Sequence, residues 1–183
     1  MIKEFVVGRL RNRCYLIVKE NNAILIDAGE CYELVKDYLE KNNVKLLAVL
    51  LTHGHFDHAV DAYKFQNDGV PIYIHKKDAD KLCTDWNLAK LFGFDFNNIN
   101  ADVLVDDGDI YIENFNISVI STPGHSKGSC SYIYENHIFV GDTLFENGYG
   151  RCDLYDSDFE QLKQSVKTLQ KYYDKNYLLH YGH

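Results

Sequence analysis

The segment Thr52-His53-Gly54-His55-Phe56-Asp57-His58 constrains this chain more than any other, because it packs four potential metal ligands into six residues. It follows Leu46-Leu47-Ala48-Val49-Leu50-Leu51, an apolar run that suits a buried strand. Side chains alternate along an extended chain, so His53 and His55 leave the strand on the same side. Asp57 and His58 come where the chain turns into a helix, and from there they can face a second ion. A lone histidine after a strand is ordinarily a surface or hydrogen-bonded residue. Three histidines and an aspartate at this spacing read as a metal site. Imidazole with a few carboxylates suits zinc, and also iron or manganese.

The bulk properties narrow the classes around that motif. At 183 residues the chain fits one domain, expected to run 1–183. Its 19 basic and 27 acidic residues give a formal charge of −8. That balance works against nucleic acid as the main partner, since phosphate binding needs clustered Lys and Arg. The longest apolar runs fall far short of a bilayer span, so no membrane association is expected. Met1-Ile2-Lys3-Glu4-Phe5 lacks the charged-then-apolar layout of a secretory signal, and the expectation is a cytoplasmic address. Cys14, Cys31, Cys83, Cys130 and Cys152 are odd in number and include no Cys-x-x-Cys pair. Reduced thiols are expected rather than a disulfide framework or a thiolate zinc knuckle.

Along the chain, Cys14 to Val18 and Ala23 to Asp27 read as strands joined by a turn at Asn21-Asn22. Cys31, Leu34, Val35, Tyr38 and Leu39 then follow helical spacing. A helix is expected over about 58–65, a strand at Pro71 to Ile74, and a helix with an irregular connection between Lys76 and Asn100. Short β segments fill Val103 to Val140, with turns at Asp106-Asp107-Gly108 and Glu135-Asn136. Ser157-x-x-Glu160 is a capping box, opening a helix with an apolar face of Phe159, Leu162, Val166, Leu169 and Tyr173. Tyr177 to His180 is the last strand. The strand end Ile24-Leu25-Ile26-Asp27-Ala28-Gly29 is echoed by Ile138-Phe139-Val140-Gly141-Asp142-Thr143, each before a loop and a helix. The echo suggests two similar β-rich halves, with sheets packed face to face and helices outside. His75 and His137 have no partner motif and are expected at the surface.

Further motifs follow the histidine cluster in order. They are Thr122-Pro123-Gly124-His125-Ser126-x-Gly128-Ser129, Val140-Gly141-Asp142-Thr143-Leu144-Phe145, Gly150-Arg151-Cys152-Asp153 and Tyr181-Gly182-His183. With Thr52 to His58, which matches the pattern His-x-His-x-Asp-His, they span nearly the whole chain. In this set the chain resembles the metallo-β-lactamase superfamily, and within it the compact, single-domain glyoxalase II-like hydrolases. The resemblance implies an α+β fold, a four-layer αββα sandwich. It implies two divalent ions, zinc foremost with iron or manganese as options. His53, His55 and His125 would hold the first; Asp57, His58 and His183 the second; Asp142 would bridge them. His180 is an alternative to His183, but the family places its ligand after Gly, which favours His183. Relatives usually continue past this Gly-His, so the natural chain is expected to extend beyond His183. Asp27 lies where family members keep an aspartate beside the ligands, and would orient a histidine or the turn. Arg151 and Asp153 match the Gly-Arg-x-Asp segment and are expected as a salt bridge or support near the site.

The activity this implies is attack on a small-molecule thioester, S-lactoylglutathione in type, or a related ester, by a metal-bound hydroxide. Asp57 would be the catalytic residue that orients it. Full-length glyoxalase II enzymes carry a C-terminal helical domain that grips glutathione; none is expected here, so glutathione specificity does not follow. Persulfide dioxygenases share the scaffold and would use one iron on His53, His125 and Asp142. Lactonase or β-lactamase chemistry is a further hydrolytic option. An inactive metal-binding protein is the non-enzymatic reading, but inactivity normally shows as missing ligands, and every motif position is filled.

Overall fold

Period-two alternation of apolar side chains along the strands decides the layers of this protein. The computed structural model describes residues 1–183. In the first sheet β1 (Ile2–Val7), β2 (Asn12–Lys19) and β3 (Asn22–Ile26) form an antiparallel meander. Helix α1 (Tyr32–Asn42) carries the chain over to β4 (Lys45–Leu51), parallel to β3, and β5 (Ile72–His75) and β6 (Val103–Val105) continue in parallel. Two short helices, α2 (Phe56–Ala59) and α3 (Ala62–Asn67), separate β4 from β5. In the second sheet β7 (Gly108–Ile112), β8 (Phe115–Ser121), β9 (Cys130–Tyr134) and β10 (His137–Gly141) are antiparallel neighbours. After α4 (Phe159–Tyr173), β11 (Leu178–Tyr181) joins the edge of that sheet parallel to β10.

Alternate residues of one strand serve two cores. Ile17, Ile24, Ile26 and Leu50 of the first sheet face Ile117, Val119, Tyr132 and Phe139 of the second. Their neighbours Leu16, Leu25, Val49 and Leu51 point the other way, onto Val35 of α1 and Phe65 of α3. On the far side of the second sheet, Ile138 and Val140 pack on Leu169 of α4. The result is the αββα sandwich. The internal echo is real at the level of topology: β2-β3-α1-β4 and β9-β10-α4-β11 are each a hairpin, a helix and a strand parallel to the hairpin's second strand. This repetition brings the carboxyl ends of β3, β4, β10 and β11, and the residues that follow them, to one edge of the sandwich. No helix is long and apolar enough to cross a membrane.

Several local expectations change. The turn before β3 centres on Glu20, left-handed at φ 55, and Asn22 already belongs to the strand. The helix expected over 58–65 is two helices, because backbone groups there are used elsewhere: the His58 carbonyl accepts from Ala28 N, and Asp61 N donates to the Ala28 carbonyl. The stretch from Lys76 to Asn100 holds three 3-10 turns, Ala79–Cys83, Asp85–Asn87 and Ala89–Phe92. At α4 the cap is Asp158, whose carboxylate accepts from Gln161 N at 2.9 Å, one residue later than expected. Ser157 is instead drawn to the site, donating to the His125 carbonyl at 2.9 Å. Leu162, Ser165 and Leu169 form the buried stripe of α4, while Phe159 and Tyr173 are exposed. Leu34 of α1 is exposed as well.

His75 is not at the surface but fully buried. Its Nε2 lies 3.3 Å from Ser121 Oγ and 3.4 Å from Asp106 Oδ1, and Nδ1 accepts from Lys77 N at 3.3 Å. It links the end of β5 to the end of β8, so polar contacts between the sheets account for its burial. His137 is half-buried, its Nδ1 2.8 Å from His180 Nε2 with the rings stacked.

Candidate metal centre

Asp27 ends β3 in a left-handed conformation (φ 59), which aspartate tolerates better than most residues. Its carboxylate is buried and reaches across to the residue that ends β4. Oδ1 accepts from Thr52 N at 2.7 Å and Oδ2 from Thr52 Oγ1 at 2.9 Å. Thr52 Oγ1 in turn stands 3.2 Å from His53 Nδ1, and Asp27 Oδ2 stands 2.9 Å from His58 Nδ1. Two other histidines are anchored the same way: His125 Nδ1 on the Arg151 carbonyl and His183 Nδ1 on the Leu10 carbonyl, both at 2.8 Å. With Nδ1 as the donor in each contact, Nε2 of each ring is the nitrogen turned toward the centre. His55 is the exception, its Nδ1 lying 2.9 Å from His125 Nε2.

The groups converge in three overlapping sets, His53/His55/His125, His53/His58/Asp142 and Asp57/His58/His183, in each of which the donor atoms lie within 4.8 Å of one another. Asp142, just beyond β10, stands between them. Its Oδ1 is 3.2 Å from His58 Nε2, and its Oδ2 is 3.6 Å from His125 Nε2 and 3.5 Å from His183 Nε2. Asp57 Oδ2 lies 3.4 Å from His183 Nε2. The backbone closes in tightly here, since a Cβ on Gly182 would fall 2.3 Å from Asp142 Oδ1. All seven residues expected as ligands are thus brought together. His180 lies apart from them, stacked on Phe139.

The donor set fits cations. His53 Nε2, His55 Nε2, His58 Nε2 and Asp142 Oδ1 are buried without a hydrogen bond, although buried polar atoms are nearly always paired. Imidazole rings with centroids 4.3 to 4.9 Å apart would repel one another if protonated. Burial pushes His53 far below its ordinary pKa and His55 down to about 3, which keeps both neutral and able to coordinate. At the other end of the cluster the carboxylates dominate. Burial would lower His58 and His183, but Asp142, Asp27 and Asp57 around His58 raise it well above its usual value, and bonds to Asp142 and Asp57 lift His183 to about 10. Burial works against ionising Asp142 and Asp57, yet His58 and His183 hold both below the usual carboxylate range. The pair therefore calls for positive charge at this point, which protons or a divalent ion can supply.

The sequence is similar to the family described as the metallo-beta-lactamase superfamily over residues 7–183. This chain belongs to that superfamily. The probable metallo-hydrolase YqgX of Bacillus subtilis is 33% identical over 168 residues, covering 87% of this chain and 79% of the relative. The hydroxyacylglutathione hydrolase GloC of Haemophilus influenzae is 33% identical over 171 residues, covering 88% and 80%. The crystal structure of the B3 metallo-beta-lactamase BLEG-1 matches with a TM-score of 0.92 at 30% identity, over 100% of this chain and 91% of that one. YqgX and GloC are both named hydrolases, and the His/Asp cluster lies where the strand ends of the fold converge.

Arg151 and Asp153 form the two-pronged ion pair expected of them, at 2.7 and 2.9 Å. Arg151 borders the cavity with its side chain and holds His125 with its carbonyl. Beneath the superfamily's histidine loops lies a group that sequence reasoning missed. Asp78 and Lys81 are fully buried and paired at 2.9 Å, and Lys81 also reaches Asp156. Asp78 accepts from Gly54 N, Ser126 Oγ and Gly128 N at 2.8 to 2.9 Å. Burial raises the Asp78 pKa, but the Lys81 charge and the Gly54 amide outweigh it and hold the carboxyl low. One carboxylate therefore fastens the His53–His55 loop to the His125 loop. The spacing Asp78-x-x-Lys81 was the available signal; nothing in it announced burial. Replacing Lys81 by Met is expected to leave two carboxylates uncompensated and to cost about 3–5 kcal/mol of stability, measured by urea unfolding. A loss under about 1 kcal/mol would show that this pair does not brace the loops.

Proposed function

We propose that the chain is a binuclear metal-dependent hydrolase that cleaves a thioester of the S-lactoylglutathione type, or a related ester, to an acid and a thiol or alcohol. The observation that carries this reading is the set of buried, unbonded His nitrogens and the Asp142 oxygen beside an ionised Asp57. His53, His55 and His125 would hold one ion, Asp57, His58 and His183 the other, with Asp142 between them. Zinc suits these donors best, and iron or manganese fit as well. Bound there, two divalent ions bring the pKa of water toward neutrality and polarise a carbonyl.

The chain's own groups do the rest. Asp57 is anionic and faces the cavity, so it accepts a hydrogen bond from the attacking water and sets its direction. The anchored Nδ1 atoms keep the imidazoles from turning as charge develops. Leu10, Phe56 and Phe92 wall the cavity and limit access of bulk water. Arg151 and Asp153 support the site from its edge. The completeness of the Asp57/His58/His183 set favours two ions, and with them hydrolysis, over the single-iron persulfide dioxygenase alternative. The GloC relative supports a thioester substrate; the BLEG-1 likeness makes a β-lactam the competing carbonyl.

Zinc-loaded protein is expected to hydrolyse S-D-lactoylglutathione, with Asp57→Ala slower by about 10²- to 10⁴-fold. Cleavage of a β-lactam but of no thioester would contradict the substrate class. Asp27→Asn is expected to weaken metal binding by about 10- to 100-fold, read by competition with a chelator; unchanged affinity would remove Asp27 from the account.

A further inference from the structure

The cavity above the metal centre occupies about 350 Å³. That is near the lower end of the range for small-molecule sites. Its floor is Asp57, Asp142 and the histidines, and its walls are Leu10, Phe56, Leu88, Phe92, Phe145 and Leu154. Apart from the centre itself, the only polar side chain on the lining is Arg151, two of whose N–H groups are already taken by Asp153. No hydroxyl or amide side chain stands on the wall to meet a polar acyl substituent. Leu10 and Phe92 are 40% and 44% exposed, leaving apolar surface that a bound ligand would cover.

Leu88 is held on this wall against its own preference. It sits between two 3-10 turns with φ 71, in the left-handed region where a branched apolar side chain is strained and glycine or asparagine is not. The surroundings enforce this. The buried amide of Asn87 donates to the carbonyls of Lys81 and Thr84 at 3.2 and 2.8 Å and accepts from Ala89 N at 2.8 Å. The Leu88 carbonyl accepts from Leu91 N at 3.0 Å and Phe92 N at 3.3 Å. Phe92 stacks on Phe56 with centroids 5.5 Å apart, which backs the wall. Strain of this kind persists where the structure over-determines it, and it gathers at ligand-holding positions.

We propose that this cavity is an acyl pocket that selects substrates with an apolar acyl group over hydroxyacyl ones, and that Leu88 determines the selectivity. The inference rests on the hydrolase reading and narrows its substrate class. A hydroxyl on the acyl group would lose its water and meet no wall side chain able to bond it other than the half-exposed, Asp153-paired Arg151, whereas added methylenes would cover the exposed leucine and phenylalanine surface.

The test compares hexanoyl and D-lactoyl thioesters of N-acetylcysteamine, a neutral thiol that removes leaving-group recognition, on the metal-loaded protein. Calorimetric binding of hexanoate and of lactate runs alongside. The expected result is a kcat/KM ratio favouring hexanoyl by about tenfold or more, with tighter binding of hexanoate. Leu88→Gly and Leu88→Asn both suit the left-handed backbone, so both are expected to melt no lower than the wild type. Each is expected to reduce the hexanoyl-to-lactoyl ratio about tenfold. Equal turnover and binding of the two acyl groups in the wild type would overturn the proposal, as would an unchanged ratio in both variants. Preferential hexanoate binding, lost in the variants, with no cleavage of either thioester would support the pocket and contradict the hydrolase reading.

Discussion

The carboxylate of Asp27 is the contact on which the site's geometry depends. From the end of β3 it fixes the amide and hydroxyl of Thr52 at the end of β4, and through that hydroxyl the His53 ring. It also holds His58 directly. One buried side chain thus orients His53 and His58, which between them belong to all three overlapping sets. Asp27 and Thr52 directly follow β3 and β4, which are parallel neighbours, so the register of these strands sets the relative position of His53 and His58.

The sandwich supplies the other half. The second hairpin–helix–strand unit brings Asp142 and His183 to the same edge, and the Gly182 backbone packs against the Asp142 carboxylate where no side chain would fit. Below, Asp78 with Lys81 ties the two histidine loops together. Above, the hairpin tip at Leu10 and the strained turn at Leu88 form the cavity wall. Four of the buried polar atoms without a partner, His53 Nε2, His55 Nε2, His58 Nε2 and Asp142 Oδ1, face the centre.

Much of this was legible in the residues. The spacing of His53, His55, Asp57 and His58, after an apolar strand and into a helix, was enough to mark a metal site, while His125, Asp142 and His183 were legible through the family resemblance of their motifs. The layers were legible through the echo of Ile24–Gly29 in Ile138–Thr143 and through the family resemblance; that Ile24 and Leu25 serve two different cores shows only in the fold. What stayed hidden depends on long-range contacts. The burial of Lys81 and His75 depends on Asp156, Ser121 and Asp106, far along the chain, which local pattern does not reveal. The helix expected over 58–65 breaks because Ala28 takes its backbone bonds. Ser157 leaves its capping position because the His125 carbonyl claims its hydroxyl. Leu88 had no signal, since a leucine carries no mark of a left-handed backbone.

Metal stoichiometry tests the central claim most directly. The protein would be reconstituted with excess zinc, dialysed and analysed for metal per chain, beside His183→Ala. The account predicts two ions per chain in the wild type and one in the variant, with His53, His55 and His125 still occupied. A single ion in the wild type, unchanged by His183→Ala, would contradict a binuclear centre.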